Sequence, residues 1–420
     1  MAFIADFHIH SKYSRATSPQ MDVEHLVKSA KIKGIKVLGT GDFTHPQWLQ
    51  ELKEKLEPAE PGLFRFKTQG SRLEDNETRF ILTSEISCIY SKGGRVRKIH
   101  IIIFAPDFET VEKINTQLGW IGNLKADGRP ILGLDAKELV KIVLNISQDC
   151  LIVPAHLMTP WFSLFGSKSG FNFLEECFED YSKYIFAGET GLSANPLMLW
   201  RMPDGRRITL ISNSDSHSPA KIGREANVFD TEISYDVITN AIKQKDPKKF
   251  LYTIEFFPEE GKYHYDGHRN CNVSLSPAET KKYNGLCPVC GRPLTVGVLN
   301  RVEELADRPE SFKSENAIPF KSLIPLAEII GEALGIGDSS KEVEKEYQNL
   351  IQKFNNEFHI LVEVPLSDLK AATLPQIAEG ISRVREGKVQ IEPGYDGVYG
   401  KIKIFSEAEK KELPGQKSLF

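Results

Sequence analysis

The chain has 420 residues, 40% of them hydrophobic and 26% charged, with 53 Lys and Arg against 57 Asp and Glu for a net charge of -4. That composition excludes a disordered or collagen-like chain, and the near-neutral balance excludes a protein that coats nucleic acid by bulk charge, though not one with a local site. The length suggests two or three domains. His8 and His10 interrupt the apolar run that a signal peptide needs, and no stretch of about 18 apolar residues follows, so the expectation is a cytoplasmic chain. Six cysteines are too few for a disulfide scaffold, and any cluster among them reads as metal binding.

In chain order, Ala2–Phe7 reads as a strand, Asp22 caps a helix that runs to Lys33 and stops at Gly34, and Ile35–Leu38 is the next strand. A helix over 46–56 follows, then strands at Phe80–Thr83 and Ile99–Phe104, and a helix from Asp135 to about Leu144. Leu151–Val153, Tyr184–Ala187 and Ile208–Ile211 complete the strands. This alternation predicts an α/β fold with a parallel sheet, and strands apolar on both faces suit a closed barrel over residues 1–250. Near Glu255 the composition turns aromatic and turn-rich (255–301), and apolar spacings of three and four then predict a helical segment over 302–385. A Gly/Tyr segment opens 386–420, which ends in a Lys/Glu-rich tail expected to be flexible after Ser406.

Ionisable residues follow the strands with unusual regularity. His8 and His10 follow the first, Asp42 and His45 the second, Glu85 the third, His156 the strand LIVP, Glu189 the strand YIFA, and Asp215 with His217 the last. At the carboxyl ends of parallel barrel strands such residues converge on one face without being adjacent in sequence. Imidazoles and carboxylates together suit Zn²⁺, Mn²⁺ or Fe, and a bridging carboxylate allows two ions about 4 Å apart. His8 and His10, two apart on an extended segment, point the same way. His100 lies nearer the start or middle of its strand. Each residue also has a plain alternative: Asp42 closing a turn, Glu189 holding a ligand in place, or a single His capping a strand.

His268-x-x-Cys271 and Cys287-x-x-Cys290, the inner cysteines sixteen positions apart, have the spacing of a closed structural zinc site, with His264 a rival ligand. Cys88, Cys150 and Cys177 sit in apolar contexts and read as core. Backbone-contact candidates for a polyanion are Lys92, Arg95, Arg97 and Lys98 in SKGGRVRK, Arg206 and Arg207, and Lys281 and Lys282; a solvated face is the plain alternative for each.

The HxH, the final DxH and the residues between them resemble the polymerase and histidinol phosphatase (PHP) family of metal-dependent phosphoesterases over residues 1 to 250. The resemblance implies a distorted seven-stranded (βα) barrel with two to three divalent metals (Zn, Mn or Mg). It implies one ion among His8, His10, Glu85 and Asp215, a second among Glu85, His100 and His156, and a third near His45, His217 and Asp42. The family's motif after strand two is a contiguous Asp-His; here Asp42 and His45 are separated.

Nearly end to end, GTGDFTHPQWL, EFFPEEGKYHYDGHRNC, CPVCGRPLT and RVEELADRP resemble the endonuclease Q family. That resemblance implies a DNA repair enzyme that cuts on the 5′ side of uracil, hypoxanthine, xanthine or an abasic site and leaves 3′-hydroxyl and 5′-phosphate ends. In ETGLSANPLMLW the family pattern carries Asp where this chain has Asn195, which reads as an inactivated variant or as the cap of a helix beginning at Pro196. Asn195, Asp42 and Glu189 are the candidates for a part in the chemistry. Gln416, Leu419 and Phe420 resemble a truncated peptide that binds the sliding clamp PCNA. Two other readings stand beside this one: a PHP phosphatase of a small metabolite, which leaves the cysteine knuckles and helices without a role, and a non-catalytic lesion sensor.

Overall fold

The computed structural model describes residues 2–67 and 77–412. The strand β1 (Phe3–Asp6) pairs in parallel with β2 (Ile35–Gly39) across α1 (Val23–Lys33). As expected, α1 starts at Asp22, whose carboxylate accepts from His25 N at 2.9 Å, and stops at Gly34, which takes a left-handed φ of 88°. After α2 (Pro46–Lys55), β3 (Leu56–Pro58) and β4 (Phe64–Phe66) comes a long strand, β5 (Arg79–Lys92). It turns at Gly93 and Gly94 into β6 (Arg95–Ala105), and the two pair antiparallel from Leu82↔Ala105 to Lys92↔Arg95.

The chain continues through α3 (Phe108–Gly119), β7 (Ile131–Leu132), α4 (Ala136–Ile146), β8 (Leu151–Pro154) and α5 (Leu174–Phe178). Then follow β9 (Ala187–Glu189), α6 (Pro196–Trp200), α7 (Pro203–Arg207), β10 (Thr209–Ile211), β11 (Ala226–Phe229), α8 (Tyr235–Gln244) and β12 (Phe250–Glu255). Strands β12, β11, β1, β2, β5, β4 and β3 form one hydrogen-bonded path, with β6 and β7 on β5 and β8 on β6, whereas β9 and β10 make a separate parallel pair.

The fold is therefore mixed α/β, and the all-parallel sheet expected from sequence is corrected. β1–β2–β5 is parallel, but β1–β11, β11–β12, β5–β6 and β6–β8 are antiparallel. A strand buried on both faces is apolar throughout whichever way its neighbour runs, so the hydrophobic pattern does not register direction. The strand expected at Tyr184–Ala187 also lies later, at Ala187–Glu189, behind a 3₁₀ turn over Glu179–Tyr184. One buried cluster nonetheless gathers Ala5, Val37, Ile81, Ile102, Val153, Ala187, Ile211, Phe229 and Phe250, so the separate pair and the main sheet share a core.

Beyond β12 a small antiparallel pair, β13 (Asp266–His268) and β14 (Val273–Leu275), precedes α9 (Pro277–Lys282) and α10 (Val298–Leu305). Inside the stretch expected to be helical, β15 (Phe320–Ser322) adds in parallel to β12 and extends the main sheet. The helices α11 (Leu326–Leu334), α12 (Lys341–Phe354), α13 (Glu357–Val362), α14 (Leu366–Ala372) and α15 (Pro375–Arg385) follow. The antiparallel pair β16 (Gln390–Glu392) and β17 (Lys401–Lys403) then leads to α16 (Glu407–Glu412). The expectation of a flexible tail after Ser406 is thereby corrected for its first turns: Glu409 binds the Ser406 amide and hydroxyl and pairs with Arg383 at 2.8 Å, which caps and anchors α16.

One ion pair, with its carboxylate buried, ties the helical segment to the end of α1. Glu357 accepts from Lys33 Nζ at 2.6 Å, from the Tyr347 hydroxyl at 2.5 Å and from Leu326 N at 3.1 Å. A Cβ on Gly34 would come within 2.3 Å of Asn356 Oδ1, so α1 ends in contact with the residue that caps α13. Burial alone would raise the Glu357 pKa, but Lys33 and these donors hold it below its ordinary value. A depressed pKa contributes stability that is present above the unfolded value of 4.5 and fades as pH falls through the folded one. Glu357→Ala is expected to destabilise the protein by about 3–5 kcal/mol near neutral pH, because it strands Lys33 and two further donors. Denaturant titration of both proteins should show the gap narrowing as the pH falls below 4.5 and through the depressed pKa of Glu357.

Candidate metal centre

The HxH and DxH segments meet directly. Ile9 bridges Ser216 in parallel, and His10 N donates to Ser216 O at 2.9 Å. This brings His8, His10 and Asp215 together, and Glu85 reaches them from β5, which is long enough to carry Glu85 in its interior rather than at its end. The antiparallel register sets His100 opposite Ser87 and therefore diagonal to Glu85 on the same face. His100 accordingly belongs to the site from the middle of its strand.

Glu85 faces two groups at once. Its Oε2 lies 3.4 Å from His8 Nε2 and 3.3 Å from His10 Nε2, and Asp215 Oδ1 stands 3.1 Å from His10 Nε2. Its Oε1 lies 2.7 Å from His100 Nδ1 and 3.0 Å from His156 Nε2. In each group the potential ligand atoms lie within 4.8 Å of one another, so either could hold a metal ion, with Glu85 common to both. His8 Nε2, His10 Nε2 and Asp215 Oδ1 are buried without a hydrogen-bond partner. Buried polar atoms are rarely left that way, and nitrogen and carboxylate oxygen aimed at one point fit a divalent cation.

The far nitrogens are held by other carboxylates. His8 Nδ1 donates to Glu189 Oε1 at 3.0 Å, and His10 Nδ1 to Asp42 Oδ1 at 3.0 Å. Asp42 also accepts from Ser11 N at 2.6 Å, Ser11 Oγ at 2.7 Å and Ser14 Oγ at 2.9 Å; Glu189 also accepts from Asn213 Nδ2 and His156 N, both at 2.9 Å. Both carboxylates thus fix a tautomer and leave Nε2 as the open donor atom. Burial opposes a charge on His8 and His10, yet Glu189, Glu85 and Asp215 around the one and Asp42 beside the other raise both pKa values well above the usual histidine range. Burial likewise opposes ionisation of Glu85, but His100, Arg129 and His8 hold its pKa well below the usual carboxylate range. His100 itself is driven down to about 4 by burial.

Three site residues occupy left-handed backbone: Asp42 at φ 50°, His156 at 31° and Asp215 at 46°. Such conformations cost energy and persist where the surroundings determine them. Just before Asp42, Gly41 has φ 61°, and a Cβ there would stand 2.2 Å from Ile9 O. The turn after β2 can press against the HxH segment only because that residue is glycine.

The expected third set does not assemble. Among the described residues no group of ligand atoms unites His45, His217 and Asp42. His45 stacks on Tyr13 at 4.4 Å, His217 donates from Nδ1 to Asp215 O at 3.0 Å, and Asp42 is turned toward His10. Asn195 caps α6, accepting from Met198 N at 3.1 Å, and lines a cavity of about 390 Å³ with Arg201, Glu259 and His264. The backbone-contact candidates divide. Arg206 pairs with Asp307 through two bonds of 2.7 Å, Arg207 pairs with Glu175, and Arg97 lies over the Phe171 ring and donates to Gly170 O. Arg95 is exposed, and Lys98 is half-buried over two aromatic rings. Gln416, Leu419 and Phe420 lie outside the described residues.

Arg129 is a site residue that the sequence pattern did not reveal. It sits in the loop before β7 and donates to Glu85 Oε2 at 3.0 Å. No strand ends before it, and a lone arginine in a polar loop carries no spacing signal. Thr159, 2.9 Å from His156 Nδ1, was equally silent.

His268, Cys271, Cys287 and Cys290 converge as a second kind of site, with His268 Nδ1 3.4 Å from Cys290 Sγ, while the rival His264 is buried elsewhere and pushed down to about 4 by desolvation. Three sulfurs and one nitrogen suit a closed tetrahedral zinc site. Desolvation works against a thiolate at Cys287, but the amides of Cys290 and Val289 pull its pKa down to about 6, ready for a metal.

The family model of the MJ0043 C-terminal domain matches residues 325–388. The uncharacterized protein MJ0043 of Methanocaldococcus jannaschii is 35% identical over 252 residues, which take in 58% of this chain and 31% of that protein; the chain thus spans under a third of that relative's length. The uncharacterized protein YqxK of Bacillus subtilis is 29% identical over 418 residues, 95% of this chain and 98% of that one. Among solved structures, the lesion-specific endonuclease PfuEndoQ from Pyrococcus furiosus is 31% identical with a TM-score of 0.84, covering 99% of this chain and 100% of its own. A structure of endonuclease Q with a 27-mer duplex substrate bearing an abasic lesion at the active site is 31% identical with a TM-score of 0.83, covering 100% and 99%.

Because Asp42 orients His10 and contributes no atom to either group, Asp42→Asn is expected to weaken metal binding there by about 10–100-fold. Competition with a chromophoric chelator measures it, and the cysteine site of the same variant serves as an internal reference that should not change.

Proposed function

The chain belongs to the endonuclease Q family, and from that membership we propose that it is a metal-dependent DNA repair endonuclease. Its substrate is DNA carrying uracil, hypoxanthine, xanthine or an abasic site, cut on the 5′ side of the lesion to leave 3′-hydroxyl and 5′-phosphate ends. The observation that carries the proposal is Glu85, a buried carboxylate that faces a ligand group with each oxygen, in a chain that matches endonuclease Q structures along its whole length. We read the main sheet and the β9–β10 pair as the distorted barrel of the PHP family, 255–301 as a zinc-binding domain and 302–385 as a helical domain.

Divalent ions would be held by His8, His10, Glu85 and Asp215 and by Glu85, His100 and His156, and would supply an activated water and charge stabilisation for phosphodiester hydrolysis. The chain's own residues prepare that chemistry. Asp42 and Glu189 keep His10 and His8 in the tautomer that presents Nε2, Thr159 orients His156, and Arg129 offsets the negative charge of Glu85. A base stacked inside a duplex is out of reach, so reading the lesion requires turning the nucleotide out, at a cost that is smallest for an absent or mismatched base. Arg95 and Lys98, on the strand that carries His100, are the backbone contacts this reading retains. Gln416, Leu419 and Phe420 bind the sliding clamp PCNA in this reading.

The deciding experiment is incubation with a labelled duplex bearing one uracil, hypoxanthine or abasic site. Nicking 5′ of the lesion is expected, lost with chelator and restored by Mn²⁺ or Mg²⁺. Hydrolysis of a generic phosphomonoester with no nicking would instead identify a metabolite phosphatase.

Asp caps a helix as well as Asn does, so Asn195→Asp leaves α6 intact while adding a carboxylate. A nicking rate at least tenfold higher is expected for that variant under saturating metal; equal rates reduce Asn195 to a cap.

A further inference from the structure

The loop that leaves His156 carries a second feature. Trp161 is 50% exposed, although tryptophan is normally among the more buried side chains. Lys98 Nζ lies over its ring, 5.0 Å from the centroid, and 5.1 Å from the ring of Phe162. Phe162 itself has φ 63°, an outlier for a bulky side chain, and is locked there on two sides. Its N donates to Ser169 Oγ at 3.1 Å, and its carbonyl accepts from His100 N at 3.1 Å. The Phe162 ring stands 4.8 Å from the His100 imidazole. The loop therefore holds an open tryptophan, backed by a cation, one residue away from a backbone bond to a histidine of the Glu85 group.

The surroundings favour a polyanion as the occupant. Past Lys98, the same loop and β6 line a cavity of about 410 Å³ in which the cations Arg95, Arg97, Lys168 and Arg301 outnumber the carboxylates Glu176 and Glu304, the second of which pairs with Arg301. Trp161 thus stands on the loop that follows His156, and its Lys98 partner on the strand that carries His100 and Arg95. An indole held rigid in advance loses little freedom on stacking, and every nucleobase offers it a π-face.

We propose that Trp161 is a stacking platform for the nucleobase adjoining the scissile phosphate, with Lys98 supporting the ring and the neighbouring phosphate; this rests on the nuclease reading above. Because stacking reads a π-face rather than a base edge, the contact tolerates any base beside the lesion.

The test uses the full-length, metal-loaded protein and a duplex with 2-aminopurine next to an abasic site, mixed by stopped flow. Binding is read by anisotropy, stacking by quenching of 2-aminopurine before cleavage, and nicking in the same samples. Wild type is expected to quench the probe. Trp161→Ala should lose the quench and bind about 10–100-fold more weakly, with kcat within a few-fold and metal content unchanged. Trp161→Phe should keep most of both signals, and Trp120→Ala, at an exposed tryptophan at the end of α3, should match wild type. Wild-type quenching that persists in Trp161→Ala, or wild-type binding with no quench, overturns the stacking role and leaves the nuclease reading intact. Loss of bound metal in both Trp161 variants overturns it as well, by making the residue a support for the loop. A wild-type protein that neither binds nor nicks the duplex takes down the nuclease reading itself.

Discussion

A single buried carboxylate organises this molecule. Glu85 is almost wholly removed from water, and an isolated charge there would be prohibitively costly. The protein answers by surrounding it with four imidazoles and one guanidinium, drawn from segments far apart in the chain. Much of the first 250 residues can be understood as the means of delivering those groups. The antiparallel β5–β6 hairpin sets His100 diagonal to Glu85, the Ile9–Ser216 bridge joins the HxH to the DxH, and the left-handed turn at His156 presents that imidazole to Glu85.

Charge alone does not make a centre; orientation does. Without Asp42 and Glu189 the two N-terminal histidines would be free to choose a tautomer and a rotamer, and their Nε2 atoms would not stand unpartnered on one side of Glu85. The same economy explains the backbone outliers. Left-handed Asp42, His156 and Asp215 each allow a chain to turn sharply after a strand and still aim its side chain inward, and the hydrogen bonds around them sustain the strain. The small excess of acidic residues over basic ones is thus compatible with the proposed anionic substrate, because divalent cations held by the carboxylates at the site would reverse the local sign.

The remainder of the chain is attached to this centre rather than merely following it. β15 joins the main sheet beside β12, Glu357 fastens α13 to the end of α1, and Arg201 and Arg206 pair with Glu303 and Asp307 at the end of α10 and beyond it. The cysteine site gathers four ligand residues in a short stretch that has only a small apolar cluster of its own, so a metal held there would add stability the apolar contacts do not supply.

From the sequence alone, the residue types and their placement after strands marked His8, His10, Glu85, His156 and Asp215, because imidazoles and carboxylates at successive strand ends are improbable unless something holds them. The His-Cys and Cys-Cys pairs were legible for the same reason: metal ligation imposes spacing, and spacing is visible in one dimension. Strand direction was not legible, since a doubly buried strand looks alike in either sense, and so the place of His100 depended on a hairpin only the fold discloses. The division of labour between ligand and support stayed open: Glu189 could be read as holding a ligand in place and Asp42 as a ligand or a turn residue, and only three-dimensional distance turns them toward Nδ1 of His8 and His10. Arg129, Thr159 and Trp161 came from tertiary structure alone, because a loop residue acquires its role from what it is packed against, and sequence records no packing partner for it.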